Sequence, residues 1–439
     1  MSGDALPGHG FDGYLGLPMS APRFDLGLRR EDKSRWERRA PITPLHVREL
    51  VRDLGRSVVV QPSSWRIFPD EAYREAGAMV AEELSGARVI LGVKEIPVDR
   101  LVPGRPHLFF AHVVKGQPAN MPLLARLLSE RCTLIDYEPI VDARGRRLIF
   151  FGRHAGYAGM IDALAILGRR LAARGVDTAF SQVRLAHEYP DLAAALAALG
   201  GPVSERIRER GVQAELHPLV VGFTGGGNVT QGAQQVLGQL PLVEISPGEL
   251  PTLASKELSR QVVYAVNFRR EDRAEFSRHL PFLTVLVNGI YWTPGDPVLV
   301  TRTDLVALLG ASARPKLEVI ADVSCDVDGS IEATVRATTP DEPAYVYDPT
   351  TGAERPGVEG PGPAVLAVDN LPAELPRDAS EHFGDSLFPF LADLTVADYS
   401  VPFEHLELPS SLLDATVTHQ GALTPRYRYL ERFLRADRP

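Results

Sequence analysis

Cysteine is scarce in this chain of 439 residues, which contains only Cys132 and Cys325. Two cysteines exclude a disulfide framework and fit the reducing cytoplasm that we expect for the protein. They show no metal-type spacing, so we predict no metal site. Long apolar runs are also missing, and without a stretch of about 18 such residues we predict no membrane span. Basic charge is not in excess either, because a formal net charge of −9 argues against a general nucleic-acid binder.

Beyond residues 1–22, short apolar runs alternate with helical patterns, which is typical of an α/β fold. Residues 1–22 themselves are rich in glycine and proline, and we expect them to form a flexible arm. One strand-and-helix series covers residues 56–140, and a second begins at 217. Between them, "FGRHAGYAGMIDALAILGRRLAARG" (151–175) places small residues along a helical pattern, which predicts a closely packed helix that connects domains. The sequence therefore predicts two Rossmann-like domains with parallel sheets that flank an active-site cleft.

A glycine-rich turn opens the second series, in the segment "LVVGFTGGGNVTQGA". Gly225 and Gly227 would let backbone amides approach a pyrophosphate, and Asn228 and Val229 would begin a helix whose N-terminus favours anions. Gly232 would let that helix pack on the strand. The spacing departs from the usual G-x-G-x-x-G, so a tight turn without a ligand stays open. The pattern favours a dinucleotide site.

The residues that would select the dinucleotide conflict with each other. Glu244 ends the next apolar run and could accept hydrogen bonds from an adenosine ribose, as acids do roughly 20 residues after the turn. Arg269 and Arg270 could instead bind a 2′-phosphate, or form an ordinary solvated loop. The sequence therefore predicts NAD or NADP as the cofactor without deciding between them.

The segment "RREDKSRWERRAPITP" (29–44) carries nine formal charges in its first eleven positions. Such a cluster is either a loop of mutually paired charges or a site for carboxylates, which arginine binds with two hydrogen bonds. Lys94 in "LGVKEIP", and His112 and Lys115 in "FFAHVVKGQ", each follow an apolar run. Because the carboxyl ends of parallel strands meet at one sheet edge, these groups would form an acid–base site for carbonyl–amine redox chemistry.

Taken together, these motifs resemble the lysine–2-oxoglutarate reductase type of saccharopine dehydrogenase, which is related to alanine dehydrogenase and transhydrogenase. The resemblance extends from about residue 24 to 430 and includes "CTLIDYEPIVDARGRRLIFFGRHAGYAGMIDAL", "LVNGIYW" and "DNLPAELPRDAS". It implies a substrate domain of residues 23–155 plus 336–439 and a dinucleotide-binding domain of residues 156–335. It also implies reversible, NAD(P)-dependent reduction of the imine formed by lysine and 2-oxoglutarate. We expect only this activity, and not the second one of the bifunctional relatives.

The resemblance also assigns roles to individual residues. It implies that Lys94 and His112 are the catalytic acid–base pair and that Arg39 and Arg147 bind substrate carboxylates. The polar residues that it places around them are Lys33, Glu37, Lys115, Glu138 and Asp322.

Two other functions stay open. An alanine dehydrogenase-like enzyme would use ammonia with a similar Lys, His and Arg set, and a transhydrogenase-like module would bind a nucleotide without catalysis. The expected partners are small-molecule substrates, namely an amino acid and a 2-oxo acid, with no nucleic acid or membrane and with a possible homo-oligomer.

Overall fold

The computed structural model describes residues 23–293, 295–312 and 315–436, so the predicted arm at residues 1–22 lies outside the described residues. Two eight-stranded sheets organise the chain. The first half of the first sheet comes from the N-terminal series. Its strands and helices, in chain order, are β1 (Phe24–Leu28), α1 (Pro44–Arg52), β2 (Val58–Val60), α2 (Asp70–Glu75), β3 (Met79–Val80), β4 (Ala87–Leu91), β5 (Pro106–Phe109), α3 (Met121–Ser129) and β6 (Thr133–Asp136).

A long helix leads from the first sheet into the second. The elements from there to the end of the second sheet are α4 (Gly152–Ala173), α5 (Leu192–Ala198), α6 (Ser204–Arg210), β7 (Val220–Thr224), α7 (Asn228–Leu237), β8 (Leu242–Ile245), β9 (Val263–Phe268), β10 (Val285–Asn288), α8 (Arg302–Ala311), β11 (Val319–Asp322), β12 (Ala344–Tyr347), β13 (Glu354–Pro356) and β14 (Ala364–Leu366).

The chain then returns to the first sheet. The returning elements are α9 (Pro376–Val396), α10 (Ser410–Ala415), β15 (Thr416–His419), β16 (Ala422–Leu423) and α11 (Glu431–Ala436). Shorter turns of 3₁₀-helix, and one π-helical turn at Leu199–Val203, connect the elements. The 3₁₀ turns are Val98–Arg100, Pro118–Asn120, Ala179–Gln182, Ala186–Glu188, Ala214–Leu216, Pro247–Ser255, Arg270–Phe282, Leu371–Glu374, Phe403–His405 and Pro425–Leu430. None of the described helices is both long and apolar enough to cross a membrane.

Both sheets are parallel at the centre and antiparallel at one edge. The first has the order β16-β15-β6-β5-β4-β1-β2-β3, and the second has β13-β12-β14-β11-β10-β7-β9-β8. The antiparallel strands are β15 and β16 in the first sheet and β12 and β13 in the second. The predicted two-domain α/β fold is therefore confirmed, with the addition of these edges. The carboxyl ends of the parallel strands carry the loops of the candidate site.

The chain was predicted to return to the first domain at residue 336, but the sheet topology places this return later in the chain. Strands β12, β13 and β14 pair within the second sheet, and Leu371 and Leu375 still belong to its hydrophobic core. The return occurs at α9, where Ala379 and Phe383 enter the core of the first domain. Short edge strands such as "ERP" carry too little apolar pattern to be detected from sequence.

Helix α4 confirms the prediction of a closely packed connecting helix. It crosses α7 at its glycines: a Cβ on Gly156 would lie 1.9 Å from the backbone oxygen of Val229, and one on Gly232 would lie 2.2 Å from that of Arg153. Only glycine allows two helix backbones to approach so closely. The prediction that Gly232 lets α7 pack on the strand was thus wrong, because this glycine faces helix α4.

Candidate active site

A cavity of about 850 Å³ lies between the carboxyl ends of the two sheets. Its walls combine charged side chains of the first domain with the glycine turn of the second. The lining includes Arg39, Lys94, Phe110, His112, Glu138, Arg146, Arg147, Phe151, Gly225, Gly226, Gly227, Asn228, Val229, Arg273, Gly289, Tyr291, Asp369 and Asn370. The structure therefore brings the two predicted catalytic residues and the predicted dinucleotide turn to one cavity.

Lys94 follows β4 in a turn that a buried acid holds in place. Both carboxylate oxygens of Glu31 accept backbone N–H groups, at 2.7 Å from Val93 and 2.9 Å from Lys94. Burial, together with the positive charges of Arg39 and Lys33, lowers the pKa of Lys94 to about 8. The charged form of this lysine is therefore disfavoured, and burial contributes more than the neighbouring cations. Lys94 can therefore exchange a proton near neutral pH.

His112 pairs with an acid that the sequence analysis did not select. Its Nδ1–H donates to Glu95 Oε1 at 2.6 Å, and Lys33 Nζ lies 3.2 Å from the other oxygen of Glu95. Burial works to raise the pKa of Glu95, but the hydrogen bond and charge of His112, with the charge of Lys33, lower it to about 2. His112 also has a φ of 50°, an unusual conformation for histidine that clusters at functional sites. Glu95 thus fixes the ring so that Nε2 is left for the cavity.

Arg39 is almost fully enclosed, and its orientation is set by residues from both domains. Glu37 accepts from Nε at 2.7 Å and from Nη2 at 2.5 Å, and Asn370 Oδ1 accepts from Nη2 at 3.0 Å. The guanidinium also lies over the Phe151 ring, 4.2 Å from its centroid. The described part of the chain provides no partner for Nη1, so this group can donate to a ligand in the cavity.

Of the other residues predicted to bind substrate, Arg147 and Glu138 line the cavity, whereas Lys115 and Asp322 do not. Arg147 donates to Glu138 at 2.6 Å, and both line the cavity. Lys115 is exposed and lies 5.6 Å from the ring centroid of Tyr291, which belongs to the second domain. Asp322 does not line the cavity.

Asp322 instead supports the loops beneath the glycine turn. It is fully buried and accepts from Asn288, Ser324 and Thr334, while Asn288 accepts in turn from Thr224 at 2.6 Å. Each of its carboxylate oxygens thus already has a donor, and the residue lies outside the cavity lining. The structure therefore gives Asp322 a supporting position, not contact with a ligand.

The glycine turn has the geometry that a phosphate group needs. Gly225 adopts a φ of +91°, which other residues rarely tolerate, and a Cβ there would also lie 3.1 Å from the Gly289 backbone oxygen. At Gly226 and Gly227 a Cβ would meet no atom within 4 Å, so these backbones face open space. Helix α7 begins at the next residue, Asn228, and directs its N-terminus toward that space. These features fit a dinucleotide pyrophosphate.

The three residues predicted to select the dinucleotide are not in the lining. Glu244 is exposed on β8, and β8 pairs only with β9, so it lies two strands from β7. Arg269 and Arg270 are also exposed, and Arg273, which follows them, lines the cavity instead. The contact of Glu244 with a ribose therefore stays a prediction, and the sequence does not show that β9 comes between β7 and β8.

Three residues of the site were missed: Glu95, Arg273 and Asn370. Glu95 directly follows Lys94 at a strand end, so the same reasoning could have selected it. Asn370 lies in "DNLPAELPR", a segment that supports the family resemblance but to which no site role was assigned. Only the fold shows that this segment reaches Arg39.

Comparison with known proteins gives consistent results. Residues 27–158 match the family model of the alanine dehydrogenase/PNT N-terminal domain, and residues 220–426 match that of the C-terminal domain. The L-alanine dehydrogenase structure superposes with a TM-score of 0.62 at 21% identity, covering 93% of this chain and 99% of that one. A transhydrogenase from Sinorhizobium meliloti gives 0.53 at 16% identity, with 91% and 98% covered. These structures confirm the fold.

Curated relatives are more similar in sequence. Alpha-aminoadipic semialdehyde synthase is 36% identical in both Bos taurus and Arabidopsis thaliana, and each alignment covers 94% of this chain. The chain spans about half the length of these relatives, namely 48% and 42%. The NAD(+), L-lysine-forming saccharopine dehydrogenase of Yarrowia lipolytica is 32% identical, with 87% of this chain and 94% of that protein covered.

Proposed function

Because this chain belongs to the L-lysine-forming saccharopine dehydrogenase family, with alanine dehydrogenase/PNT domains, we propose that it is an NAD(P)-dependent oxidoreductase of a secondary amine. It interconverts saccharopine, or a closely related N-substituted lysine, with lysine and 2-oxoglutarate or a related oxo acid. The observation that carries this proposal is the placement of Lys94, His112 and Arg39 in one cavity with the glycine turn. A module that only binds nucleotide has no need of the first three.

The first-domain residues supply the acid–base part of this reaction. Formation of an imine from an amine and a ketone, and its hydrolysis, move protons at nitrogen and at the departing oxygen. With a pKa near 8, Lys94 can give or take a proton at working pH. His112 is held by Glu95 through Nδ1, which leaves Nε2 for proton transfer. The bound nicotinamide nucleotide accepts or donates the hydride.

The arginines support a dicarboxylate as the oxo acid. Arg39 presents Nη1, and Arg147 lines the same cavity with Glu138 as its neutralising neighbour. Two separate cationic groups suit two carboxylates, whereas pyruvate has only one. This favours 2-oxoglutarate over the oxo acid of an alanine dehydrogenase.

Oxidation of NAD(P)H with defined substrates tests the proposal. We expect turnover only when a lysine-like amine and a 2-oxo dicarboxylate are both present. Equal efficiency with ammonia in place of the amine, or with pyruvate in place of 2-oxoglutarate, would contradict it and favour an alanine dehydrogenase-like reaction. Nucleotide binding without any turnover would favour a non-catalytic module.

For the cofactor we propose a preference for NADP. The acid Glu244 lies two strands from β7, whereas Arg273 lines the cavity and its Nε is buried without a partner in the described structure. A charge-assisted hydrogen bond to a 2′-phosphate is worth about 1.5–3 kcal/mol, or roughly ten- to hundredfold. Arg273→Ala should therefore reduce kcat/KM with NADPH by that factor and leave NADH unaffected, while Arg269→Ala, an exposed control, should change neither. A wild-type preference for NADH would refute the assignment.

A further inference from the structure

Two buried carboxyl groups, one of them in the turn that follows Asn370, contact each other. Asp162 on α4 and Glu374 in the Leu371–Glu374 turn are 0% and 1% exposed and lie within hydrogen-bond reach of each other. Asp162 Oδ1 accepts the Ala186 N–H at 2.7 Å, and Glu374 Oε2 accepts from His187 Nδ1 at 3.2 Å. The two remaining oxygens, Oδ2 and Oε1, are buried and have no donor among the described residues.

Two ionised carboxylates cannot satisfy each other, because each is only an acceptor. One proton converts this contact into an O–H···O hydrogen bond and removes the repulsion between two buried charges. Burial raises the pKa of both groups, which favours retention of such a proton. No described lysine or arginine forms an ion pair with either carboxyl group. The titratable group that contacts the pair is His187. The nearest charged groups are Glu188, which pairs with Arg169, and, beyond His187 and Trp36, the Arg35–Asp341 pair.

The turn that carries Glu374 also carries a residue of the cavity. Asn370, which lines the cavity, directly precedes the Leu371–Glu374 turn. Its backbone oxygen accepts the Ala373 N–H at 2.9 Å. The Asn370 side-chain amide lies between Glu37 and Arg39. Its Nδ2 donates to Glu37 at 3.0 Å, and its Oδ1 accepts from Arg39 at 3.0 Å. A shift of the turn would therefore move Asn370 and change the angle of the Arg39 guanidinium.

We infer that Asp162 and Glu374 share one proton, and that this hydrogen bond fixes the Leu371–Glu374 turn so that Asn370 orients Arg39 toward a substrate carboxylate. Asp162 and Glu374 are positioning residues, because they act through Asn370 and do not line the cavity. The consequence for substrate rests on the proposed function, whereas the shared proton does not.

Glu374→Gln and Glu374→Met separate a hydrogen-bond role from a packing role. Glutamine can donate its N–H to Asp162 and accept from His187, so this variant should keep the KM for 2-oxoglutarate within about threefold of wild type. Methionine fills a similar volume without the hydrogen bond and should raise that KM about tenfold or more, with kcat and the Kd of the nucleotide little changed. Asp162→Asn should behave like Glu374→Gln. A wild-type KM in the methionine variant, or equal damage in both Glu374 variants, would overturn the inference.

Infrared difference spectroscopy detects the proton without any substrate. The wild-type protein at pH 6 should show a C=O band of a protonated carboxylic acid that is lost in both Glu374→Gln and Asp162→Asn. Glu318→Gln is the matched control, because Glu318 is also buried but pairs with Arg170 and Arg174, so the band should persist. Absence of the band from the wild type refutes the shared proton, whatever the activity. Its presence in a protein that does not turn over lysine and 2-oxoglutarate would instead contradict only the proposed function.

Discussion

The replacement of Lys94 by methionine tests the proposed chemistry and its energetic cost together. Burial and like charges lower the pKa of this lysine from 10.5 to about 8. A shift of that size means that the folded protein disfavours the ammonium by about 3 kcal/mol. Because the folded pKa is below the unfolded one, the wild type carries this cost below pH 8 and loses it as the pH rises from about 8 toward 10.5.

Lys94→Met should therefore slow turnover and stabilise the fold at the same time. Loss of a general acid–base group typically costs about 10²–10⁴-fold in rate. At pH 7 the variant should unfold at higher denaturant concentration than the wild type, by a free energy on the order of 3 kcal/mol, and the difference should shrink above pH 8. In the direction of amine oxidation, the wild-type rate should rise with pH through about 8, and the variant should lack this limb. Nucleotide fluorescence should report an unchanged cofactor Kd.

Lys33→Met is the companion variant for the pH profile. Lys33 is exposed, and its charge contributes to the lowered pKa of Lys94, so its removal should move the rising limb to higher pH without abolishing it. Normal turnover and an unchanged profile in Lys94→Met would refute the reasoning. The acid–base chemistry would then belong to other groups, with Lys115 and Glu138 the next pair to test.

Three further variants probe other parts of the site. Gly156→Ala would place a Cβ 1.9 Å from the Val229 backbone oxygen, so it should displace the start of α7 and weaken nucleotide binding at least tenfold by fluorescence titration. Arg147→Ala should raise the KM for 2-oxoglutarate roughly ten- to hundredfold, since a charge-assisted bond contributes about 1.5–3 kcal/mol. An unchanged KM in initial-rate assays would show that Arg147 does not bind the oxo acid. His112→Gln should lower kcat about 10²–10⁴-fold with normal nucleotide binding, and loss of binding instead would point to a structural role.

Local patterns were sufficient for most of the fold. Alternating apolar runs and helical periods identified most of the parallel strands of both sheets, because most of these strands bury a continuous apolar segment. They failed for β12, β13 and β14, which are short and lie at or near an edge, and this failure displaced the predicted return of the chain. Strand order was equally inaccessible, since pairing of β9 with β7 depends on contacts between segments that are distant in sequence.

The sequence by itself determined the chemistry of the cavity: a lysine and a histidine after two strands, arginines in charged loops, and a glycine turn before a helix. These follow from residue type and position relative to a strand end. Only the tertiary structure decided which groups work together. It paired His112 with Glu95, enclosed Arg39 between Glu37 and Asn370, and placed Asp322 outside the cavity lining. Such pairings, and the pKa shifts that they cause, depend on burial and distance, which arise only when remote segments pack against each other.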